Sequence, residues 1–207
     1  DTSSTDAVVC MRTKNIQADL DESDRIAVPS RLVRRSEQSL KEGDILVSTA
    51  NSWELVGKCC WVPKLGYKAT AGGFISILRA NTDSTDPRYL YHWMRSPKTL
   101  LNLRHCGRQT TNISNMSYER AENLEIPLPP LPEQKRIAAI LDKADAIRRK
   151  RAQALQLTDQ FLQSVFLDMF GDPVTNPMGW ETHGIGQLGE VITGNTPSRK
   201  RPDYYGD

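Results

Sequence analysis

The sequence predicts an α+β fold: a mixed domain over residues 1–128, then one long coiled-coil-type α-helix and a short tail. Short apolar runs bounded by Gly, Pro, Asn or charge recur through the first part, and two segments there open with helix-start signals. The proline-rich stretch from Ile126 to Pro132 ends that pattern. Beyond it, apolar residues return at three-and-four spacing, with no Gly or Pro until Gly171.

The expected strands are 7–11, 44–47, 58–62 and 73–78, each a short apolar run closed by turn-forming or charged residues. Pro87 after Asp86 opens a helix to about Arg95, and Pro97 opens another to about Cys106, ended by Gly107. Pro127, Pro129, Pro130 and Pro132 lack amide donors and clash with a preceding helical turn, so an extended connector and a domain boundary fall here. Pro132 suits the first turn of the next helix, and Glu133 favours its positive N-terminal end. That helix is expected to run to Phe170; about 39 residues rising roughly 1.5 Å each make a rod of roughly 58 Å. Residues 129–172 are assigned to this segment and 173–207 to the tail.

The apolar stripe of the helix runs through Ile137, Ile140, Leu141, Ala144 and Ile147, then Ala154, Leu155, Thr158, Phe161, Leu162, Val165 and Met169. Left alone it would be wet, so a partner helix must cover it, from further sequence or from another copy. Arg148-Arg149-Lys150-Arg151 interrupts the stripe as either a solvated patch or a contact for phosphate or an acidic partner. The tail holds one apolar segment around Leu188–Ile192, too short for a core of its own.

With 38% hydrophobic and 25% charged residues in 207, and no apolar run approaching the length of a membrane span, neither general disorder nor a membrane-crossing helix is expected. The start has no initiator Met and no signal-peptide pattern, which reads as a trimmed or incomplete cytoplasmic chain. Cys10, Cys59, Cys60 and Cys106 contain no Cys-x-x-Cys pair and are read as reduced thiols.

Signals for catalysis are weak. Gly184–Gly189 matches the dinucleotide spacing but follows no apolar strand. His92, His105 and His183 lack ligand spacing, so no metal is expected. There is no phosphate-binding Gly-rich loop with Lys, no nucleophile elbow and no carboxylate pair in a catalytic setting, and the chain reads as non-catalytic.

What remains is polar and basic. A formal net charge of +2 is small, so a nucleic-acid surface would need local clustering. In Ser48–Trp53, Asn51 and Ser52 can hydrogen-bond base edges and Trp53 can stack on the DNA backbone, although a plain strand-to-strand turn explains the segment equally well. Arg108, Gln109, Thr110, Thr111 and Asn112 offer a guanidinium, two amides and two hydroxyls without an apolar anchor, the donor and acceptor set for guanine, adenine and phosphate. Arg12, Lys14, Asn15, Arg31, Arg34, Arg35, Arg199, Lys200 and Arg201 are candidates for holding phosphates, though such residues commonly just solvate a surface.

Glu54-Leu55-Val56-Gly57-Lys58-Cys59, Gly73-Phe74-Ile75, Tyr89-Leu90-Tyr91, Thr110–Ser114 and, most specifically, Ile126-Pro127-Leu128-Pro129-Pro130-Leu131-Pro132-Glu133-Gln134-Lys135-Arg136-Ile137 follow in an order that closely resembles the specificity subunit of type I restriction-modification enzymes. Gly179-Trp180, Leu188-Gly189-Glu190-Val191 and Gly194–Ser198 look like the opening of a second target-recognition domain of that family, or of a permuted one that residues 1–128 complete. The resemblance implies two recognition domains, each reading half of a split double-stranded DNA site, spaced by two long antiparallel helices. Residues 1–128 then form a recognition domain whose N-terminal part lies elsewhere, and the chain holds about half of such a subunit.

The same resemblance implies partner modification (methyltransferase) subunits carrying S-adenosylmethionine, restriction subunits carrying ATP and Mg, and no cofactor on this chain. Two copies pairing through the long helix would restore the twofold arrangement. Recognition domains one DNA turn apart sit about 34 to 36 Å between centres, within the span of such a helix. The alternative reading is the C-terminal DNA-recognition region of a fused methyltransferase-nuclease.

Overall fold

The computed structural model describes residues 6–109 and 114–194. The chain divides into two compact units, residues 1–148 and 149–207. In the first unit the strands are β1 (Ala7–Met11), β2 (Ile26–Pro29), β3 (Ile45–Ser48), β4 (Ala50–Asn51), β5 (Cys59–Trp61), β6 (Ala69–Ala71), β7 (Ile75–Leu78), β8 (Gly107–Gln109) and β9 (Ser114–Met116). Its helices are α1 (Pro87–Met94), α2 (Pro97–His105), α3 (Tyr118–Glu122) and the first half of α4 (Leu131–Phe170). Strands expected near 7–11, 44–47, 58–62 and 73–78 are present as β1, β3, β5 and β7. Five further short strands form among residues whose sequence carries no clear alternation.

Three three-stranded sheets form among the described residues, in the orders β2-β1-β6, β5-β3-β7 and β4-β9-β8. β3 is the hinge of the packing. Strand side chains alternate between faces, and all four of its residues are buried. Leu46 enters one core with Val9, Met11, Cys60 and Val62, while Ile45 and Val47 enter a second with Cys59, Tyr91, Met94 and Leu103. A strand covered on both faces reads as a continuous apolar run, which is how Ile45-Leu46-Val47 appears in the sequence. Beside it, the buried Asp44 carboxylate accepts from Arg79 Nε and Nη2, both at 2.7 Å.

Helices α1 and α2 start as their prolines predict. Asp86 Oδ1 accepts from the Tyr89 amide at 2.9 Å and Ser96 Oγ from the Thr99 amide at 3.2 Å, each with proline in the following first turn.

The expected long helix is present as α4, 40 residues from Leu131 to Phe170. Its first half belongs to the compact unit, although the connector at 126–132 reads as a boundary in the sequence. Gln134 explains this: fully buried, its Oε1 accepts from the Asp86 amide at 2.8 Å and its Nε2 donates to the Ser84 and Pro129 carbonyls at 3.0 and 2.7 Å. Ala138 is buried one turn on. Asp142 then accepts from Arg88, His92 Nε2 lies 2.8 Å from the same carboxylate, and Arg95 Nη1 donates to Asp145 at 2.8 Å. Burial raises the Asp142 pKa, but the hydrogen bonds from Arg88 and His92 outweigh it and hold the carboxyl below its ordinary value.

In the second unit, α4 continues to Phe170 and, among the described residues, the tail makes one short helix, α5 (Ile185–Leu188), within the glycine-spaced stretch that matched a dinucleotide pattern. Leu155, Phe161, Leu162 and Met169 are exposed at 60% or more. No helix among the described residues is long and apolar enough to cross a membrane, and all four cysteines are free thiols.

Candidate nucleic-acid interface

The third sheet assembles the two polar segments that the sequence singles out. β4 pairs antiparallel with β9, Ala50 opposite Asn115 and Asn51 opposite Ser114. β9 pairs antiparallel with β8, Gly107 opposite Met116, Arg108 opposite Asn115 and Gln109 opposite Ser114. Segments far apart in the chain thus become strands on either side of β9, and the Met116 amide donates at 2.8 Å to the carbonyl of Thr49, the link between β3 and β4.

The turn after β4 is held by backbone. The Leu55 and Val56 amides donate to the Ser52 carbonyl, and the Gly57 amide donates to that of Ser48 at 2.8 Å. Gly57 has φ +80°, and a Cβ there would lie 3.1 Å from Leu103 Cβ on α2. Only glycine lets this turn adopt the left-handed conformation while lying so close to the helix. Trp53, half-buried, packs its ring on His105 at the end of α2, centroids 5.5 Å apart and tilted 58°.

Asn51 is half-buried: its Nδ2 donates to Ser48 Oγ at 3.3 Å and its Oδ1 accepts from the Ser52 amide at 2.9 Å. Arg108 and Gln109 are residues of β8. Thr110, Thr111, Asn112, Arg199, Lys200 and Arg201 lie outside the described residues. Arg31, Arg34 and Arg35 are exposed on the connection between β2 and β3.

Residues 12–15 form a cluster of their own. Arg12 Nη2 donates to Asp24 at 2.9 Å and Lys14 forms an ion pair with the same carboxylate. Asn15 is a correction to the sequence reading. It is 1% exposed; its Oδ1 accepts from the Arg12 amide at 2.8 Å and its Nδ2 donates to the Asp21 and Asp24 carbonyls at 2.8 and 3.0 Å. With its side-chain donors and acceptor committed to the loop backbone, it is a structural residue and not a phosphate ligand.

Lys58, Arg95, Arg104 and His105 are not among the DNA-contact candidates that the sequence offers. Lys58, Arg95 and Arg104 line one cleft of about 310 Å³ with Gln17, Glu54 and Cys59. Lys58 Nζ donates to Gln17 Oε1 and Arg104 Nη2 to the Glu54 carbonyl, both at 2.6 Å. The Glu54 carboxyl is held below its ordinary value by its own backbone amide first, then by the Ser52 hydroxyl, with a further contribution from Arg104. The Glu54–Cys59 stretch does not by itself point to Arg95 and Arg104; the approach of the 52–58 turn to α2 collects them. No group of three or more His, Cys, Asp or Glu suited to a metal ion occurs among the described residues.

Comparison with known proteins agrees with this architecture. The family model for the type I restriction modification DNA specificity domain matches residues 7–157. The StySPI specificity subunit of a type I restriction enzyme from Salmonella potsdam is 26% identical over 197 residues, covering 88% of this chain and 42% of the relative. The EcoKI specificity subunit from Escherichia coli is 28% identical over 167 residues, covering 77% of this chain and 35% of the relative. The chain therefore spans less than half the length of these curated relatives. A solved chain from a study of complex assembly and conformational transition of the type I R-M system is 21% identical and superposes with a TM-score of 0.57, covering 94% of this chain and 51% of that one; this likeness concerns the fold. With a family model matched across both cores, the interface sheet and the first half of α4, this chain belongs to the type I restriction modification DNA specificity domain family.

Proposed function

We propose that this chain is the non-catalytic DNA-reading part of a type I restriction-modification enzyme and recognises one half of a bipartite duplex site through the β4-β9-β8 sheet and its flanking turns. The observation that carries the reading is the pairing that sets Asn51 and Arg108 on strands either side of β9. In that register Asn51 and Gln109 both lie opposite Ser114 and Arg108 lies opposite Asn115, so the sheet gathers amide and guanidinium residues, the types suited to adenine and guanine edges in the major groove. Ser52, Trp53 and Gln109 flank them, Thr110, Thr111 and Asn112 follow in sequence, and Arg12, Lys14, Arg34, Arg35, Arg199 and Lys200 supply phosphate contacts in this reading.

Helix α4 is the scaffold in this proposal. Its first half docks on the recognition domain through Gln134, Ala138, Asp142 and Asp145. Its apolar stripe pairs with a like helix, here that of a second copy, and fixes the half-site spacing. Modification and restriction subunits assemble on it in the cytoplasm and bring S-adenosylmethionine, ATP and Mg, while this chain supplies position and sequence choice. Exchanging residues 1–128 for the equivalent domain of another family member, in the assembled methyltransferase, is expected to change which half-site is methylated. An unaltered methylation pattern would sink the proposal.

A further inference from the structure

We propose that the cleft of Lys58, Arg95 and Arg104 is a seat for one phosphodiester group of the DNA backbone, beside the β4-β9-β8 sheet. The inference rests on the DNA-reading role proposed above and gives that surface a specific anchor.

Three cations and one carboxylate, that of Glu54, stand among the cleft's lining residues. Two of the cations are oriented by neutral oxygens: Lys58 by the Gln17 side-chain amide and Arg104 by the Glu54 carbonyl. Such contacts aim the head groups and leave their positive charge in place. Arg95 binds Asp145 at 2.8 Å, but that carboxylate also accepts Arg148 at 3.1 Å and so divides its charge between two guanidinium groups. Arg104 Nε is buried with no hydrogen-bond partner among the described residues. Buried donors are normally satisfied, so this guanidinium, whose Nη2 already donates to Glu54, is one acceptor short at Nε. A phosphodiester supplies charge and acceptor oxygens together, in the geometry a guanidinium fork matches.

The cleft adjoins the proposed reading surface through the chain itself. Glu54 follows Trp53, and Arg104 precedes His105, whose ring packs on Trp53. Two residues beyond His105, β8 begins at Gly107. One turn and one helix end therefore build both features. Duplex DNA carries one phosphate charge per about 1.7 Å of axis, so a duplex docked on the sheet brings backbone to the adjoining cleft.

The test measures binding of the assembled methyltransferase to a mixed-sequence duplex and to its own target by fluorescence anisotropy across a salt series. Lys58→Gln and Arg104→Gln are expected to weaken binding to both duplexes alike, and their combination to reduce the slope of log K against log salt by about 1. Lys58→Arg should keep the parental slope, which separates lost charge from a misfolded turn. If the parent complex binds neither duplex, the DNA-reading role itself fails. If the parent binds and the Gln variants keep its slope, or shift its sequence preference, the cleft is no phosphate seat and only this inference is overturned.

Discussion

Replacing Gln134 should uncouple the long helix from the recognition domain. This side chain is 0% exposed, and its amide accepts from Asp86 N–H and donates to the Ser84 and Pro129 carbonyls. Alanine removes three hydrogen bonds, each worth about 1 kcal/mol net, and leaves a void. Ser84 is an exposed residue whose carbonyl can turn to water, which lowers the total. A loss of about 2 to 4 kcal/mol follows, equivalent to roughly 5 to 12 °C in Tm for a unit of this size. Methionine, which keeps the volume but makes none of the bonds, should lose most of the same amount. Glutamate should do no better than alanine, because a carboxylate oxygen would then face two carbonyls without a proton to share. Urea unfolding of the three variants at neutral pH measures this, with the m-value expected to stay parental. If Ala and Met variants both fall within about 0.5 kcal/mol of the parent, the anchor does not exist in solution.

Three further outcomes are expected. Burial pushes the Cys59 and Cys60 thiols up to about 12. The unfolded chain, with thiols near about 8.5, therefore binds fewer protons than the folded one above that pH. Stability should hold below about pH 8.5 and fall toward pH 12, by at most roughly 1.4 kcal/mol per pH unit per thiol. A Cys59→Ala/Cys60→Ala variant should show a shallower decline in urea melts, and parallel declines would refute the assignment. Gly57→Ala imposes a left-handed conformation on alanine and sets its Cβ 3.1 Å from Leu103 Cβ. It should cost about 1 to 3 kcal/mol in chemical denaturation, and an unchanged midpoint would contradict the described turn. Leu155→Lys with Phe161→Lys, at positions 69% and 66% exposed, should convert a self-paired chain into a monomer by light scattering. A parent already monomeric at micromolar concentration would remove the proposed helix pairing.

The elements legible in the sequence were those with strong local signals. Asp86-Pro87 and Ser96-Pro97 announced α1 and α2, because a capping oxygen followed by a proline suits few other structures. Ile45-Leu46-Val47 announced β3 through continuous burial. β2, β4, β6, β8 and β9 were invisible, since strands of two to four residues make too few alternations to register as a period and are defined by their partners. On α4 the apolar stripe was legible and the second face was not. Gln134, Ala138, Asp142 and Asp145 recur at helical spacing but are mostly polar, so a hydrophobic pattern cannot reveal that Gln134, Asp142 and Asp145 bind α1 and the residues at its two ends.

The candidate surface was half legible for a related reason. Its two main segments stood out by composition, but their adjacency is a property of β9, which pairs with β4 on one side and β8 on the other. Asn15 was misassigned because an asparagine beside Arg12 and Lys14 has the composition of a phosphate site, while its burial depends on Asp21 and Asp24 carbonyls reached only once the loop closes. Lys58 and Arg104 were missed for the converse reason: each looks like an ordinary surface cation until the Gly57 turn meets α2. This division has a consequence for how specificity can change. The β3 core and the Gln134 anchor hold the frame, whereas Asn51, Trp53 and Arg108 sit on a small sheet and its turns at the margin of that frame. Substitutions at those three positions should therefore alter recognition with less loss of stability than substitutions at Gln134 or Gly57.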